Sequence, residues 1–442
     1  MMFETQGRWL PVKAAAWAAT LFSLLLLLSL PSCKSEGNEY WAIADSGSNI
    51  VQAPSASCLA IHTVDGSESM ESPAAGSLEI PTPASSDSED TRSLQLTRAA
   101  FILAGMKEEA LRAGARLPES EIWQNHSRQL ARVWKKQDAS QFSRIRKWAD
   151  RELKPMASEA PLVYYPFSGP DFLYVSALFP RAQAYILTGL EPVGDVIPSD
   201  ELSDSELADL LPAIGPQLQD ILGLTFFRTD DLKKAQESPC IVGILFVFLA
   251  RTGHEILDAR AVYIDKQASL RPLDPEDQGK IDPRLVRGIR IVFRRKEESV
   301  SRVLLYFSAD LSNVGLQKNP EYLEFLRRWP PPFSFLKATS FLVQYQTFTT
   351  LRRFLLDRSL AVLQDDSGMA LKLYDPAQWT LTFYGHYVGP IDKWAEFFQD
   401  DLKEAYLTKP VKPLNFGIGY RFQPGQSCLM LAVRKEKDGH AD

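Results

Sequence analysis

From residue 160 onward, short β-rich runs alternate with segments of helical periodicity, and this alternation constrains the fold more than any other feature of the sequence. The β-rich runs include LVYYPF, AQAYILTGL, RGIRIVFRR, VLLYFSA, LAVLQD and WTLTFYGHYV. The helical signals include PDFLYVSALF, NPEYLEFLRRW and TFTTLRRFLLDRS, in which apolar residues recur three and four positions apart. Strands that interleave with helices predict an α/β or α+β body over residues 159–435, built on a mixed sheet.

The region before this body, residues 93–158, carries apolar residues at helical spacing and predicts a helical subdomain. Residues 93–154 have a net charge of +6, and Trp123, Trp134 and Trp148 lie among the basic residues. One interpretation is a basic surface that faces phospholipid headgroups or another anionic envelope polymer. The other is an amphipathic subdomain in which the tryptophans pack inward and the bases are solvated.

Residues 34–92 are rich in Ser, Pro, Ala, Gly and acidic residues, with a net charge of −8. Such a composition buries too little apolar surface to offset the entropy lost on ordering, so we expect a disordered acidic tether. The remaining residues, 93–442, have a net charge of about +1. A near-neutral body gives no reason to expect a nucleic-acid partner.

The N-terminus has the pattern of a secretory signal. Arg8 and Lys13 precede an uncharged apolar run from Ala14 to Leu30, and small residues follow it. The run of about 17 apolar residues is marginal for a membrane span, so an uncleaved anchor and an ordinary cleaved signal remain alternatives. The later run IVGILFVFLA is shorter still and predicts a buried core element.

The sequence Leu30-Pro31-Ser32-Cys33 resembles the lipobox of bacterial lipoproteins, although proline is unusual in the middle of the box. The resemblance implies a signal peptide over residues 1–33, acylation of Cys33, and attachment to a membrane through lipid chains. Lys34 stands where an acidic residue is the usual signal for retention in the inner membrane. We therefore expect a lipid-anchored protein of the bacterial cell envelope, at the outer membrane and facing the periplasm.

Cysteine usage adds one constraint. If Cys33 is acylated, three cysteines remain, and at most one disulfide can form within the chain. Cys240 and Cys428 both adjoin apolar runs, so they are either a bridged pair in an oxidising compartment or two separate buried thiols.

The stretch YYPFSGPDFLYVSALFPRAQAYILTGLEP, residues 164–192, is the first candidate ligand site. Gly169 permits a tight turn from strand to helix, next to Ser168, and Asp171 can cap that helix. Glu191 ends the next strand. The unit resembles the first βαβ of Rossmann-like domains, including the methyltransferases that use S-adenosylmethionine, where an acid at this place meets a ribose. Since such cofactors are not normally supplied outside the cytoplasm, we expect no cofactor, and a capped helix between two buried strands is the alternative.

Two further turns carry ionisable residues. Asp365 and Asp366 follow an apolar strand and precede Ser367 and Gly368, so the turn presents two carboxylates that could bind a metal, act as a base, or simply be solvated. No second cluster at metal-ligand spacing supports a metal, and we expect none. His386 lies between two tyrosines at the end of a strand and is the histidine best placed for proton transfer, or is a structural residue.

Several motifs are absent from the sequence. It has no Gly-x-Ser-x-Gly elbow, P-loop, His-Glu-x-x-His or Cys-x-x-Cys motif, which disfavours common hydrolases, nucleotidases, zinc proteases and redox proteins. The sequence thus predicts a binding or scaffold lipoprotein with a small-molecule or envelope-polymer ligand. The alternative is an envelope enzyme with an acid/base site near the Gly169, Asp365 and His386 segments.

Overall fold

The computed structural model describes residues 87–154, 161–194, 202–227, 241–277 and 279–436. The predicted signal peptide with Cys33, almost all of the predicted tether, and Cys240 lie outside these residues. The predicted division between residues 158 and 159 also lies outside them.

Eleven strands of the described residues form one sheet. Their bounds are β1 Leu162–Tyr165, β2 Ala184–Gly189, β3 His254–Ile264, β4 Leu270–Pro272, β5 Arg287–Arg295, β6 Arg302–Ser308, β7 Phe333–Leu336, β8 Ala361–Gln364, β9 Trp379–Gly385, β10 Val411–Lys412 and β11 Cys428–Arg434. Their order in the sheet is β10-β9-β11-β8-β7-β1-β2-β6-β5-β3-β4.

The middle of the sheet, β8-β7-β1-β2-β6, is parallel throughout. Read from β6 to β8 and numbered along the chain, these five strands stand in the order third, second, first, fourth, fifth, which is the order of doubly wound dinucleotide-binding sheets. Antiparallel strands flank the block: β5 and β3 on one side, and β11 on the other, where it lies between β8 and β9. The predicted mixed α/β fold with a Rossmann-like βαβ unit, β1 to β2, is confirmed.

Helices cover both faces of the sheet. Their bounds are α1 Asp87–Leu103, α2 Lys107–Arg112, α3 Glu121–Gln137, α4 Ser143–Glu152, α5 Phe172–Leu178, α6 Asp204–Leu224, α7 Ile241–Arg251, α8 Asn313–Lys318, α9 Pro320–Arg328, α10 Thr349–Arg358 and α11 Asp400–Thr408. A π-helical turn, Asp138–Phe142, connects α3 to α4.

Two hydrophobic cores result, one on each side of the sheet. Val163 and Tyr165 of β1 enter the core formed with α1–α7, whereas Leu162 and Tyr164 enter the core formed with α8–α11. This division follows from the alternation of side chains along a strand. The predicted N-terminal helices thus precede the sheet in sequence and share their core with it.

Helix α1 is joined to β3 by hydrogen bonds as well as apolar contacts. The register of β3 against β5 shifts between Ile256 and Asp258. Such a bulge leaves backbone groups without strand partners. The hydroxyls of Ser93 and Thr97 both donate to the Ile256 carbonyl, and the Ile256 N–H donates to the Thr97 hydroxyl. Helix α1 therefore satisfies the backbone that the bulge exposes.

The apolar run of α7 and the tryptophans of the N-terminal helices are buried in the core. Every side chain of α7 from Ile241 to Ala250 is buried, as predicted for a core element. Trp123 and Trp148 are buried, and Trp134 stacks on Phe142. The tryptophans therefore pack inward, while the surrounding bases occupy the surface. Among the helices that the structure describes, none has the length and apolar character needed to cross a membrane.

Candidate functional site

The carboxyl ends of the parallel strands form the edge where doubly wound proteins bind ligands, and the crevice lies where the strand order reverses, between β1 and β7. The residues that follow β1, β2, β7 and β8 meet at this edge. They include the predicted Ser168, Gly169, Asp171, Glu191, Asp365 and Asp366.

The turn after β1 is held by Ser168 and Asp171. The Ser168 backbone N–H donates to the Thr188 carbonyl at 2.8 Å, and the Ser168 hydroxyl accepts from the Thr188 N–H at 3.1 Å. Gly169 has a φ of +53°, a conformation that favours glycine. Asp171 Oδ1 accepts from the Tyr174 N–H at 3.0 Å, which is the predicted helix cap.

Lys337, the residue directly after β7, lies at the centre of the crevice and was not among the candidates found from the sequence. Its ammonium is 2.6 Å from Asp171 Oδ2, and the two side chains are 2% and 1% exposed. It also donates to the Thr225 carbonyl and lies 3.9 Å from the ring centroid of Tyr174. Burial lowers the pKa of Lys337, and the charge of Asp171 opposes that effect. The one feature of the sequence that could have identified Lys337 is its position directly after the apolar run FSFL.

Asp365 ties the turn after β8 to the segment after β7. Its carboxylate accepts hydrogen bonds from the Ala338 N–H at 2.8 Å, the Ser367 N–H at 2.9 Å and the Ser367 hydroxyl at 2.5 Å. Burial raises the pKa of Asp365, although these donors act in the opposite direction. Because the carboxylate oxygens already have partners, the role of Asp365 in this geometry is structural.

Backbone strain is concentrated at the same edge. Ala338, Ser340 and Phe341 have φ values of 50°, 53° and 57°, which non-glycine residues rarely adopt. The Tyr420 hydroxyl accepts from the Ser340 N–H at 3.1 Å and donates to the Ala338 carbonyl at 3.0 Å, so it holds this segment in place. Thr225, whose carbonyl accepts from Lys337, also has a positive φ of 73°. Strained residues of this kind persist only where their surroundings fix them.

Glu191 lies two residues beyond the end of β2 and close to Gly169, in the turn where the sequence predicts it. A Cβ atom added at Gly169 would be 3.4 Å from Glu191 Oε1 and 3.2 Å from the Phe227 ring. The Tyr306 hydroxyl is 2.9 Å from Glu191 Oε2 and donates to this carboxyl group. Burial raises the pKa of Glu191. The acid thus lies beside the β1 turn, as the Rossmann resemblance implies, but its polar partner is a tyrosine of β6, and the Phe227 ring lies against Gly169.

Asp366 is the second buried carboxyl group of the turn after β8, and a hydrogen bond from its own backbone N–H and the charge of Arg421 act to lower its pKa. It is 7% exposed, and its carboxylate accepts no hydrogen bond from another residue in the described ranges. Burial, with the nearby charge of Asp365 as a second cause, raises its pKa to about 7.

His386 follows β9, which like β8 runs antiparallel to β11, so β8 and β9 end at the same edge of the sheet. Its backbone N–H donates to the Ser427 carbonyl at 2.9 Å, where β9 ends, and its side chain is exposed. Within the described part of the chain, no hydrogen bond or ion pair joins its imidazole to Asp171, Glu191 or Asp365. Hydrogen bonds and close contacts therefore connect the residues after β1, β2, β7 and β8, whereas the exposed His386 side chain lies two strands from β8 at the same edge.

Few polar side chains at the carboxyl ends of the parallel strands are free to bind a ligand or transfer a proton. Asp171, Glu191 and Asp365 are buried and paired, and side chains of the chain itself occupy the space above Gly169. No cluster of three His, Cys, Asp or Glu side chains able to hold a metal occurs among the described residues. Comparisons of the chain with protein-family models, with curated proteins and with solved structures found no match.

Proposed function

We propose that this chain is a lipid-anchored binding or scaffold protein of a bacterial envelope, built on a Rossmann-like sheet whose ligand crevice is closed. The observation that carries the proposal is the buried Asp171–Lys337 ion pair, at 2.6 Å, at the point where the strand order reverses. A cofactor bound there would have to displace this pair, and separating two buried charges so that one stays buried without its partner is costly.

The likeness to Rossmann-like domains extends beyond the first βαβ unit. The strand order of the parallel block is that of Rossmann-like domains. The position of β11, antiparallel to its neighbours β8 and β9, is also that of the corresponding strand in the methyltransferases that use S-adenosylmethionine. In this chain, Phe227 lies against Gly169, and Tyr306 binds Glu191. Both positions are ones that a nucleoside would need to contact.

An envelope enzyme with an acid/base site near Gly169, Asp365 and His386 has less support. Asp365 has three hydrogen-bond donors and His386 is exposed at a different strand end. A general acid and base must both reach one reacting group, and within the described residues no hydrogen bond joins Asp365 to His386.

The outer surface is therefore the better place for a partner. Helices α3 and α4 carry exposed Arg132, Lys135 and Lys147. Positive charge on an exposed helical surface favours an anionic partner, such as an envelope polymer. The lipobox resemblance and Lys34 favour the outer membrane, with the body facing the periplasm.

The anchor is tested by Cys33→Ala in the full-length protein, expressed in a bacterium and fractionated. We expect the wild-type chain in the membrane fraction with incorporated labelled palmitate, and the variant free of label and in the soluble fraction, because the acyl chains supply the membrane affinity. Cys58→Ala is the matched control and should behave as wild type. Retention of Cys33→Ala in the membrane fraction, with its label intact, would contradict the proposed anchor.

A further inference from the structure

A stripe of basic side chains runs along the outer face of α3 and α4. Its members are exposed and lie three or four positions apart within each helix, which places them on one face of it. This basic stripe consists of Arg128, Arg132 and Lys135 in α3, and Arg144 and Lys147 in α4. The π-helical turn alone separates the two helices, and both bury their opposite face in the same core. The bases of both helices therefore face solvent on the same side of the protein.

The basic stripe has little negative charge beside it. From residue 128 to residue 147 the one acidic residue is Asp138, which is paired with Arg146 at 2.8 Å. Three bases of the stripe have no carboxylate partner within the described ranges: Arg132, Lys135 and Lys147. Like charges three and four positions apart destabilise a helix. An anion bound along the stripe would relieve this repulsion.

The sequence that precedes α1 carries the opposite charge. Residues 34–86, the part of the predicted tether that lies outside the described residues, contain seven acidic residues and one base. No lysine or arginine occurs between Lys34 and Arg92. The four acids nearest to α1 in this segment are Asp65, Glu68, Glu71 and Glu79. This acidic segment, residues 34–86, is thus complementary in charge to the basic stripe.

The point of attachment lets the acidic segment reach the basic stripe. It joins the body at Asp87, the first residue of α1, and the other end of α1 lies against α3, where the Trp123 indole donates to the Ile102 carbonyl at 2.8 Å. A helix of 17 residues is about 25 Å long. A chain of about 22 residues without secondary structure averages about 25 Å and extends to about 70 Å. Asp65 and the acids after it are therefore within reach of the stripe.

We propose that the acidic segment docks on the basic stripe and competes there with the anionic partner of this surface. Covalent connection gives the segment an effective concentration on the order of 1 mM, which favours it over a dilute external polymer. Exposed ion pairs are individually weak and are screened by salt, so a longer polyanion can displace the segment. The inference rests on the proposed function only in that this surface binds anions, and it does not depend on the lipid anchor.

Coupling of carboxylates to amines by a water-soluble carbodiimide tests the contact in the full-length protein. The reagent links an acid to a lysine without a spacer, and mass spectrometry of the monomer identifies the linked peptides. We expect links from the acidic segment to Lys135 and Lys147, reduced about fivefold or more when salt is raised from about 50 mM to about 0.5 M. Lys318 is the control, because it is exposed on α8 at the opposite face of the sheet. Links to Lys318 as frequent as those to Lys135 and Lys147 would overturn the proposal.

Competition is tested with polyphosphate of about 20 units as the probe anion, at about 50 mM salt. The triple variant Glu68→Gln, Glu71→Gln, Glu79→Gln weakens the acidic segment as a competitor and leaves the basic stripe unchanged. We expect this variant to bind polyphosphate about fivefold or more tightly than the wild-type protein, because less of the stripe is occupied.

The triple variant Glu297→Gln, Glu396→Gln, Glu404→Gln is the matched control, because it changes the net charge equally at three exposed acids of the body. It should bind polyphosphate within about twofold of wild type. Equal affinity of the two triple variants would overturn the proposal and leave the anionic partner standing. If none of these chains bound polyphosphate, the anionic partner would be contradicted instead, and the links to Lys135 and Lys147 would still decide where the acidic segment docks.

Discussion

Lys337→Met is expected to lower the free energy of unfolding by about 3–5 kcal/mol, because it leaves Asp171 buried without its opposite charge. Asp171 keeps hydrogen bonds from the Tyr165 hydroxyl and the Tyr174 N–H, each at 3.0 Å, but these donors are neutral. Methionine fills a similar volume, so lost packing contributes little to the effect. Urea denaturation followed by circular dichroism gives the measurement.

The double variant Asp171→Asn, Lys337→Met separates loss of charge from loss of packing. It removes both charges and keeps an oxygen for the helix cap, so we expect it to recover about half or more of the lost stability. Lys147→Met, at an exposed lysine, should stay within about 0.5 kcal/mol of wild type. Wild-type stability of the Lys337→Met single variant would mean that the ion pair does not hold the crevice closed.

The second large effect is expected at Gly189, the last residue of β2. A Cβ atom there would be 2.1 Å from Glu191 Oε2, 2.7 Å from the Tyr306 hydroxyl and 3.1 Å from the Gly169 backbone. Since Glu191 and Tyr306 are buried and bonded to each other, neither can move without breaking that bond. We expect Gly189→Ala to cost about 3 kcal/mol, at the upper end for overpacking.

Gly223→Ala is the matched control for this substitution, because a Cβ atom at Gly223 of α6 would have no neighbour within 4 Å. It should be neutral or stabilising by up to about 1 kcal/mol, since alanine favours a helix. Urea denaturation of the two variants gives the comparison. If Gly189→Ala proves as stable as Gly223→Ala, the Glu191 carboxyl group is not fixed against the turn as described.

The sequence alone predicts the fold class and some of the contacts at the carboxyl ends of the parallel strands. Strand-like runs such as RGIRIVFRR and LAVLQD became β5 and β8 because their apolar residues pack on both faces of a sheet. The strand-to-helix turn at Gly169 and the cap at Asp171 depend on neighbouring residues alone, so local patterns were enough to find them. The closeness of Gly169 and Glu191 follows from the parallel pairing of β1 and β2.

The contacts that fill the crevice between β1 and β7 could not be predicted from local sequence patterns. Lys337 meets Asp171 across 166 positions of sequence, and Phe227 reaches Gly169 from the segment after α6. His386 shows the converse: its tyrosine and glycine neighbours made it conspicuous, but the strand that carries it ends beside β11, separate from the β1 turn. Pairings between distant residues decide whether a polar group is available, and they depend on tertiary structure.

The closed crevice is tested most directly by calorimetric titration of the full-length protein with S-adenosylmethionine and with NAD. We expect no binding of either compound up to about 1 mM, because Lys337, Asp171 and Phe227 occupy the space that a nucleoside would need. Saturable binding of either compound at about 10 μM or tighter, abolished by Gly169→Val, would contradict it.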